Sequence, residues 1–72
     1  MRDIEIGNRV KLARVAAGLT QQGLASAVGV TRQTVGLIEA QRYNPTIKLC
    51  LMIAEATETS LDELFWIEED QG

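Results

Sequence analysis

Residues 24–39 read LASAVGVTRQTVGLIE. Two short amphipathic segments meet across Gly29-Val30, and the second opens on Thr31, Arg32, Gln33 and Thr34. A glycine closing an apolar-periodic stretch ends a helix, and a hydroxyl ahead of the next one caps its orphan N–H groups. The stretch therefore predicts a helix, a tight corner and a second helix with a polar entry.

The same signals recur outward from this corner. Thr20, Thr31, Thr46 and Ser60 are helix-start hydroxyls, and Gly18, Gly29 and Asn44-Pro45 supply breaks. Leu19 with Leu24, and Val30 with Val35, have the spacing of hydrophobic staples, and Ser60 with Glu63 that of a capping box. Five helices are expected, over about 8–17, 21–28, 32–40, 46–57 and 61–66, giving an all-α fold. The helical period assigns Val10, Ala13, Ala17, Leu24, Ala25, Val28, Val35 and Ile38 to the core. It adds Ile47, Cys50, Leu51, Ala54, Leu61, Leu64 and Phe65 from the second half. Cys50 reads as an inert small hydrophobe.

The ends fit less well. Ile4 and Ile6 alternate with Asp3 and Glu5, a period of two, and Phe65-Trp66-Ile67 can run on as an extended segment. Two readings stand open: frayed tails, or a small antiparallel β-ribbon between the N- and C-terminal arms. The domain is read as single over 1–72, with a core at 8–66 and arms at 1–7 and 67–72.

At 72 residues a lone core is marginal, and a staple, a metal or a partner chain is expected. One cysteine forms no internal disulfide, and without histidine it builds no zinc site. Dense helix packing and self-association remain. MRDIEIG lacks a signal peptide's apolar run, and no stretch reaches the length of a membrane span, so a cytoplasmic protein with no membrane role is expected. The net charge of −3 hides an asymmetry. Residues 1–48 carry seven bases against three acids, a local +4; residues 49–72 carry seven acids and no base, −7. A nucleic-acid surface needs only one basic face.

At about 100° per residue, Val35 and Ile38 set the buried direction of the third helix. Gln33 and Ala40 then point away from the core, with Gly36 and Leu37 beside them and Arg32 and Thr34 on opposite flanks. A merely solvated face would carry Lys or Glu; this one is an amide followed by a smooth strip. It suits the major groove, where Gln pairs bidentately with adenine, Leu37 meets a thymine methyl, and Gly36 admits close approach. Arg32 is placed for a guanine or a phosphate.

Residues 9–65 resemble the helix-turn-helix domain of lambdoid phage repressor and Cro proteins, the xenobiotic-response-element family. The resemblance joins G-L-T-Q, L-A, G-V-T-R-Q-T-V, I-E, Y-N-P-T and L-D-E-L-F in register. Among its members the chain is most similar to small stand-alone dimeric regulators of the cytolysin-repressor type. The resemblance implies a compact five-helix repressor-like fold, with helix two across the sugar–phosphate backbone and helix three as the recognition helix. It implies base contacts by Arg32, Gln33, Gly36 and Leu37. Backbone contacts would come from Thr20, Gln21, Thr31, Thr34, Arg42, Tyr43 and Asn44, with Arg14 and Glu39 as a structural ion pair. Tyr43 can equally cover the edge of the core, and Gln21 can be a solvated first-turn residue. Three departures stand out: Gly23 replaces a strong helix former, Ala40-Gln41 replaces Asn-Gly, and Glu58 stands where glycine often ends helix four.

Apolar residues left over after core assignment, Met52, Ile53, Trp66 and Ile67, are candidates for a dimer interface, though Trp66 can also cover its own core. The function expected is a sequence-specific double-stranded DNA-binding regulator, a repressor acting as a homodimer on an inverted repeat. No cofactor and no small-molecule ligand are expected. The alternative is a protein-interaction module or antitoxin-like partner on the same fold. An enzyme is not expected: the chain has no histidine, no nucleophile beside a base and no phosphate loop.

Overall fold

The first four helices are each closed by a residue in the left-handed region: Gly18 (φ 76°), Gly29 (φ 78°), Gln41 (φ 61°) and Glu58 (φ 52°). In each case the next residue's N–H reaches back five positions, Leu19 to Arg14, Val30 to Ala25, Arg42 to Leu37 and Thr59 to Ala54, satisfying carbonyls that the helix end leaves bare. These closures divide the chain, in a computed structural model that describes residues 2–68, into β1 (Glu5–Asn8), α1 (Val10–Ala16), α2 (Gln21–Val28), α3 (Arg32–Glu39), α4 (Ile47–Thr57), α5 (Leu61–Leu64) and β2 (Phe65–Glu68). The outer ends of the arms, with Glu69 and Asp70, lie outside the described residues.

Thr20, Thr31 and Thr46 cap α2, α3 and α4, each hydroxyl accepting from the N–H three residues on. Ser60 differs from its expected role: its hydroxyl donates to the Glu63 carboxylate at 2.7 Å and makes no cap bond to backbone. Leu19 and Val30 pack on the core that holds Leu24 and Val35, as the staple spacing predicts.

The core gathers Val10, Ala13, Leu24, Ala25, Val28, Val35, Ile38, Leu49, Ile53 and Leu64. On α4 the expected face is half right. Cys50 is buried and Ala54 packs on the core as expected, but Ile47 and Leu51 are exposed, while Leu49, Ile53 and Thr57 face inward. Ile53, expected at a dimer interface, is fully buried and belongs to the core. Ala17, expected inside, is exposed at the end of α1.

The arms form the ribbon. β1 and β2 pair antiparallel, Glu5 with Glu68, Ile6 with Ile67, Gly7 with Trp66 and Asn8 with Phe65. The fifth helix accordingly stops at Leu64, and α1 starts at Val10, because residues 8 and 65–66 take strand geometry instead. Gly7 is buried under the Trp66 ring, which a Cβ there would overlap. The indole N–H donates to Glu68 at 2.7 Å, and Arg9 stacks 5.1 Å from the ring centroid. Trp66 thus covers its own ribbon rather than the helical core. The Arg9 N–H donates to the Leu64 carbonyl at 2.9 Å, joining the two chain ends where the helices begin and finish.

Glu58 and Gln41 both occupy a conformation that costs a side-chain-bearing residue about 1–2 kcal/mol. Only Gln41 has compensation, a side-chain bond to the Ile6 carbonyl at 2.9 Å. Glu58→Gly is therefore expected to stabilise the fold by about 0.5–1 kcal/mol, part of the gain being lost to unfolded-chain entropy. Gln41→Gly is expected to bring no gain. Thermal melts of the two variants check this: a rise of a few degrees is expected for the first alone.

Candidate nucleic-acid interface

The corner between α2 and α3 spans Gly29, Val30 and Thr31. An added Cβ on Gly29 would meet nothing within 4 Å, so glycine is required there by its positive φ and not by crowding. The corner delivers α3 with Val35 and Ile38 buried and with Gln33, Leu37 and Ala40 exposed, as the helical period predicts.

One polar relay fixes α3 against its neighbours. Arg14 donates through Nε to Glu39 Oε2 at 2.7 Å, and more weakly through Nη2 to Oε1 at 3.4 Å. Its Nη1 donates to the Leu19 carbonyl at 2.9 Å. The two side chains are only 10% and 6% exposed. Gln21 Nε2 then donates to Glu39 Oε1 at 3.1 Å, and Gln21 Oε1 accepts from Arg32 Nη1 at 3.3 Å. Arg14, Glu39, Gln21 and Arg32 form a continuous chain from the base of α1 to the first residue of α3. Gln21 is half-buried within this chain rather than a free first-turn residue.

The relay also decides the local electrostatics. Glu39 is the sole acid on α2 and α3, and Arg14 neutralises it at hydrogen-bond distance. Arg32, Gln33 and Arg42 are exposed. Among the described acids, Asp3 and Glu5 are exposed in the N-terminal arm, and Glu55, Glu58, Asp62, Glu63 and Glu68 are exposed on or after the second half of α4.

The remaining positions fall as follows. Thr20 and Thr31 are exposed caps, and the Thr31 and Thr34 hydroxyls lie 3.0 Å apart at the entry to α3. Arg42, Tyr43 and Asn44 are exposed in the segment between α3 and α4, with the Arg42 N–H engaged by the Leu37 carbonyl at 2.8 Å. Gly36 is half-buried; a Cβ there would meet only Gln21 Nε2, at 3.8 Å. The fold thus brings Gln21, Arg32 and Gly36 together where α2 crosses α3. Of the dimer candidates, Met52 packs on the core from a half-buried position, Trp66 lies over Gly7, and Ile67 is half exposed.

Two residues to which the sequence assigns no site role hold the far end of α3. Asn8 Nδ2 donates to the Ile38 carbonyl at 2.9 Å, while its Oδ1 accepts from the Val10 N–H, the first of α1, at 3.1 Å. Gln41 ties the residue after α3 to β1. The signal for Asn8 was present, a capping residue type just ahead of an apolar helix; nothing local signals Gln41. Among the described residues no helix is long and apolar enough to cross a membrane.

Comparison with known proteins agrees with this geometry. An uncharacterized HTH-type transcriptional regulator of Bacillus subtilis, YgzD, is 43% identical over 63 residues, spanning 88% of this chain and 96% of that protein. One from Methanocaldococcus jannaschii is 38% identical over 64 residues, 89% of this chain and 97% of its own length. Among solved structures, the restriction-modification controller protein C.AhdI of Aeromonas hydrophila superposes with a TM-score of 0.70 at 31% identity, covering 75% of this chain and 82% of that one. Residues 10–64 match the helix-turn-helix family HTH_3, to which this chain belongs as a DNA-binding transcriptional regulator.

Proposed function

We propose that the chain represses transcription by binding an inverted-repeat operator as a homodimer in the cytoplasm, with α3 in the major groove of each half-site. The observation that carries the reading is Gly36. A glycine inside a helix costs about 1 kcal/mol relative to alanine, and nothing in the protein's own packing requires this one. Its use is external: it leaves the backbone of α3 open between Gln33 and Leu37, where an incoming base edge is met.

Gln33 is the specifying group, able to donate to and accept from one adenine edge at once. Arg32, steered by Gln21, covers a neighbouring guanine or phosphate. The Thr20, Thr31 and Thr34 hydroxyls with the N-termini of α2 and α3, and Arg42, Tyr43 and Asn44 beyond, hold the sugar–phosphate backbone and set register without reading sequence. Leu37 presents an apolar surface to a thymine methyl. Two copies on half-sites about one helical turn apart supply the affinity that one module of this size lacks. The acidic second half disfavours non-specific attachment while the basic first half steers approach. The role is binding, and no catalytic step is assigned to it.

Selection from a random duplex library at physiological salt tests the reading. An inverted repeat is expected, losing information at one position per half-site with Gln33→Ala, a loss of about 1–3 kcal/mol of discrimination. No enrichment, or enrichment indifferent to Gln33, overturns the assignment of α3 and favours a protein-binding role. Gly36→Ala is expected to raise the melting temperature while weakening operator binding, opposite signs that separate function from folding. Arg42→Ala is expected to weaken all duplexes alike and to flatten the slope of log affinity against log salt by roughly 0.9.

A further inference from the structure

We propose that the outer face of α4 seats a second copy of this chain, the two helices packing antiparallel about a two-fold axis beside Leu51. The inference rests on the dimeric reading above and says where the dimer forms. Ile47 and Leu51, one turn apart on α4, are 71% and 52% exposed, on the side away from buried Leu49, Ile53 and Thr57. Met52 lies half-buried at their edge. A helix that turns two large aliphatic side chains outward, in a chain this short of core, marks a contact surface.

The charges around that pair say what covers it. A two-fold interface must complement itself: if one residue meets another across the axis, the reverse contact also forms. Lys48 lies three residues before Leu51, and Glu55 three residues after Met52. Antiparallel packing about the Leu51–Met52 step sets Lys48 of each copy against Glu55 of the other, twice, around an apolar centre. Lys48 is the sole base in residues 43–72, and it stands where the pairing needs one.

The other exposed apolar surfaces lack this property. Leu12 and Val15 on α1 are 66% and 58% exposed, but Arg9 and Lys11 line the same shallow hollow. The carboxylate there, Glu39, is already taken by Arg14. A two-fold axis on α1 would set base against base. On the ribbon, Glu5 and Glu68 already face each other across the strands.

One face of an 11-residue helix, about 16 Å long, supplies less than a standard interface of about 1,200–2,000 Å². Association of the free protein is therefore expected to be concentration-dependent rather than obligate.

Sedimentation equilibrium without DNA, on the full chain, Lys48→Glu, Glu55→Lys and the double variant, tests the face. Both positions are on the surface, and melting curves run in parallel verify that each variant is folded. Each single variant is expected to raise the dimer dissociation constant by more than about tenfold, because both symmetric pairs become like-charge contacts. The double variant is expected to return within about threefold of the parent, a rescue that no contact within one helix can produce across seven residues. A parent dimer indifferent to the three variants overturns the α4 face and leaves the operator-binding dimer standing. So does a Lys48→Glu effect seen only with DNA, which would make Lys48 a phosphate contact. A parent that stays monomeric and occupies its duplex as a single copy overturns both.

Discussion

Arg14 meets Glu39 in a nearly dry position, and the placement of α3 depends on that contact. The guanidinium holds the last residue of α3 and the carbonyl of Leu19 in the loop before α2, so three segments share one planar group. Glu39 spends its remaining capacity on Gln21, at the start of α2. A buried ion pair is weak evidence of net stability, since an apolar replacement of equal volume is often neutral. Breaking it is another matter, because one uncompensated charge left inside costs about 3–5 kcal/mol. What the pair supplies is geometry: α3 cannot turn about its axis or slide along α2 without stranding a charge. The same pairing quenches the sole acid on the two helices of the corner, which would otherwise repel phosphate.

The opposite side of α3 is held by the chain ends. A two-stranded ribbon is marginal on its own, and this one is anchored rather than free. Phe65 packs on the core, Trp66 seals Gly7, and Asn8 and Gln41 bridge between β1 and the end of α3. In a domain with no disulfide, closing the N-terminal arm against the C-terminal one constrains the whole chain as a staple would. Gln41 accounts for one departure from the family pattern. The left-handed residue after α3 is not glycine because its side chain serves the ribbon. Glu58, in the same conformation after α4, has no such bond to offset its strain.

What was legible in the sequence was what local chemistry determines. Caps at Thr20, Thr31 and Thr46, the closure at Gly29 and the orientation of α3 all depend on residues within one or two turns. On α3 the large apolar residues are only Val35, Leu37 and Ile38, and Val35 with Ile38, three apart, set its buried side. Helix α4 fails the same test for the converse reason. Ile47, Leu49, Cys50, Leu51, Met52, Ile53 and Ala54 are apolar nearly all round, so periodicity has no polar face to measure against, and the phase slipped by about one residue of helical rotation. That slip sent Ile53 outward and Leu51 inward. Non-local pairing was legible only in part: the period of two at Ile4 and Ile6 left the ribbon as one of two readings, because the strands at Phe65 and Asn8 exist only where the two ends meet.

The two interior glycines of α2 and α3 separate structural need from surface need. At Gly23 a Cβ would press within 3.2 Å of the Thr20 hydroxyl, the group that caps α2, so the missing side chain protects a local bond. At Gly36 the space is open apart from one side-chain nitrogen at 3.8 Å. Each gives up about 1 kcal/mol of helix propensity. The first loss has a purpose inside the molecule, and the second has none there. A marginal domain gains by filling such a position unless something outside it needs the room. Gly36 lies between an exposed amide and an exposed leucine, on a helix that two polar clamps prevent from shifting. The flattened strip is therefore a rigid surface, which supports the proposed approach of a base edge to the backbone there.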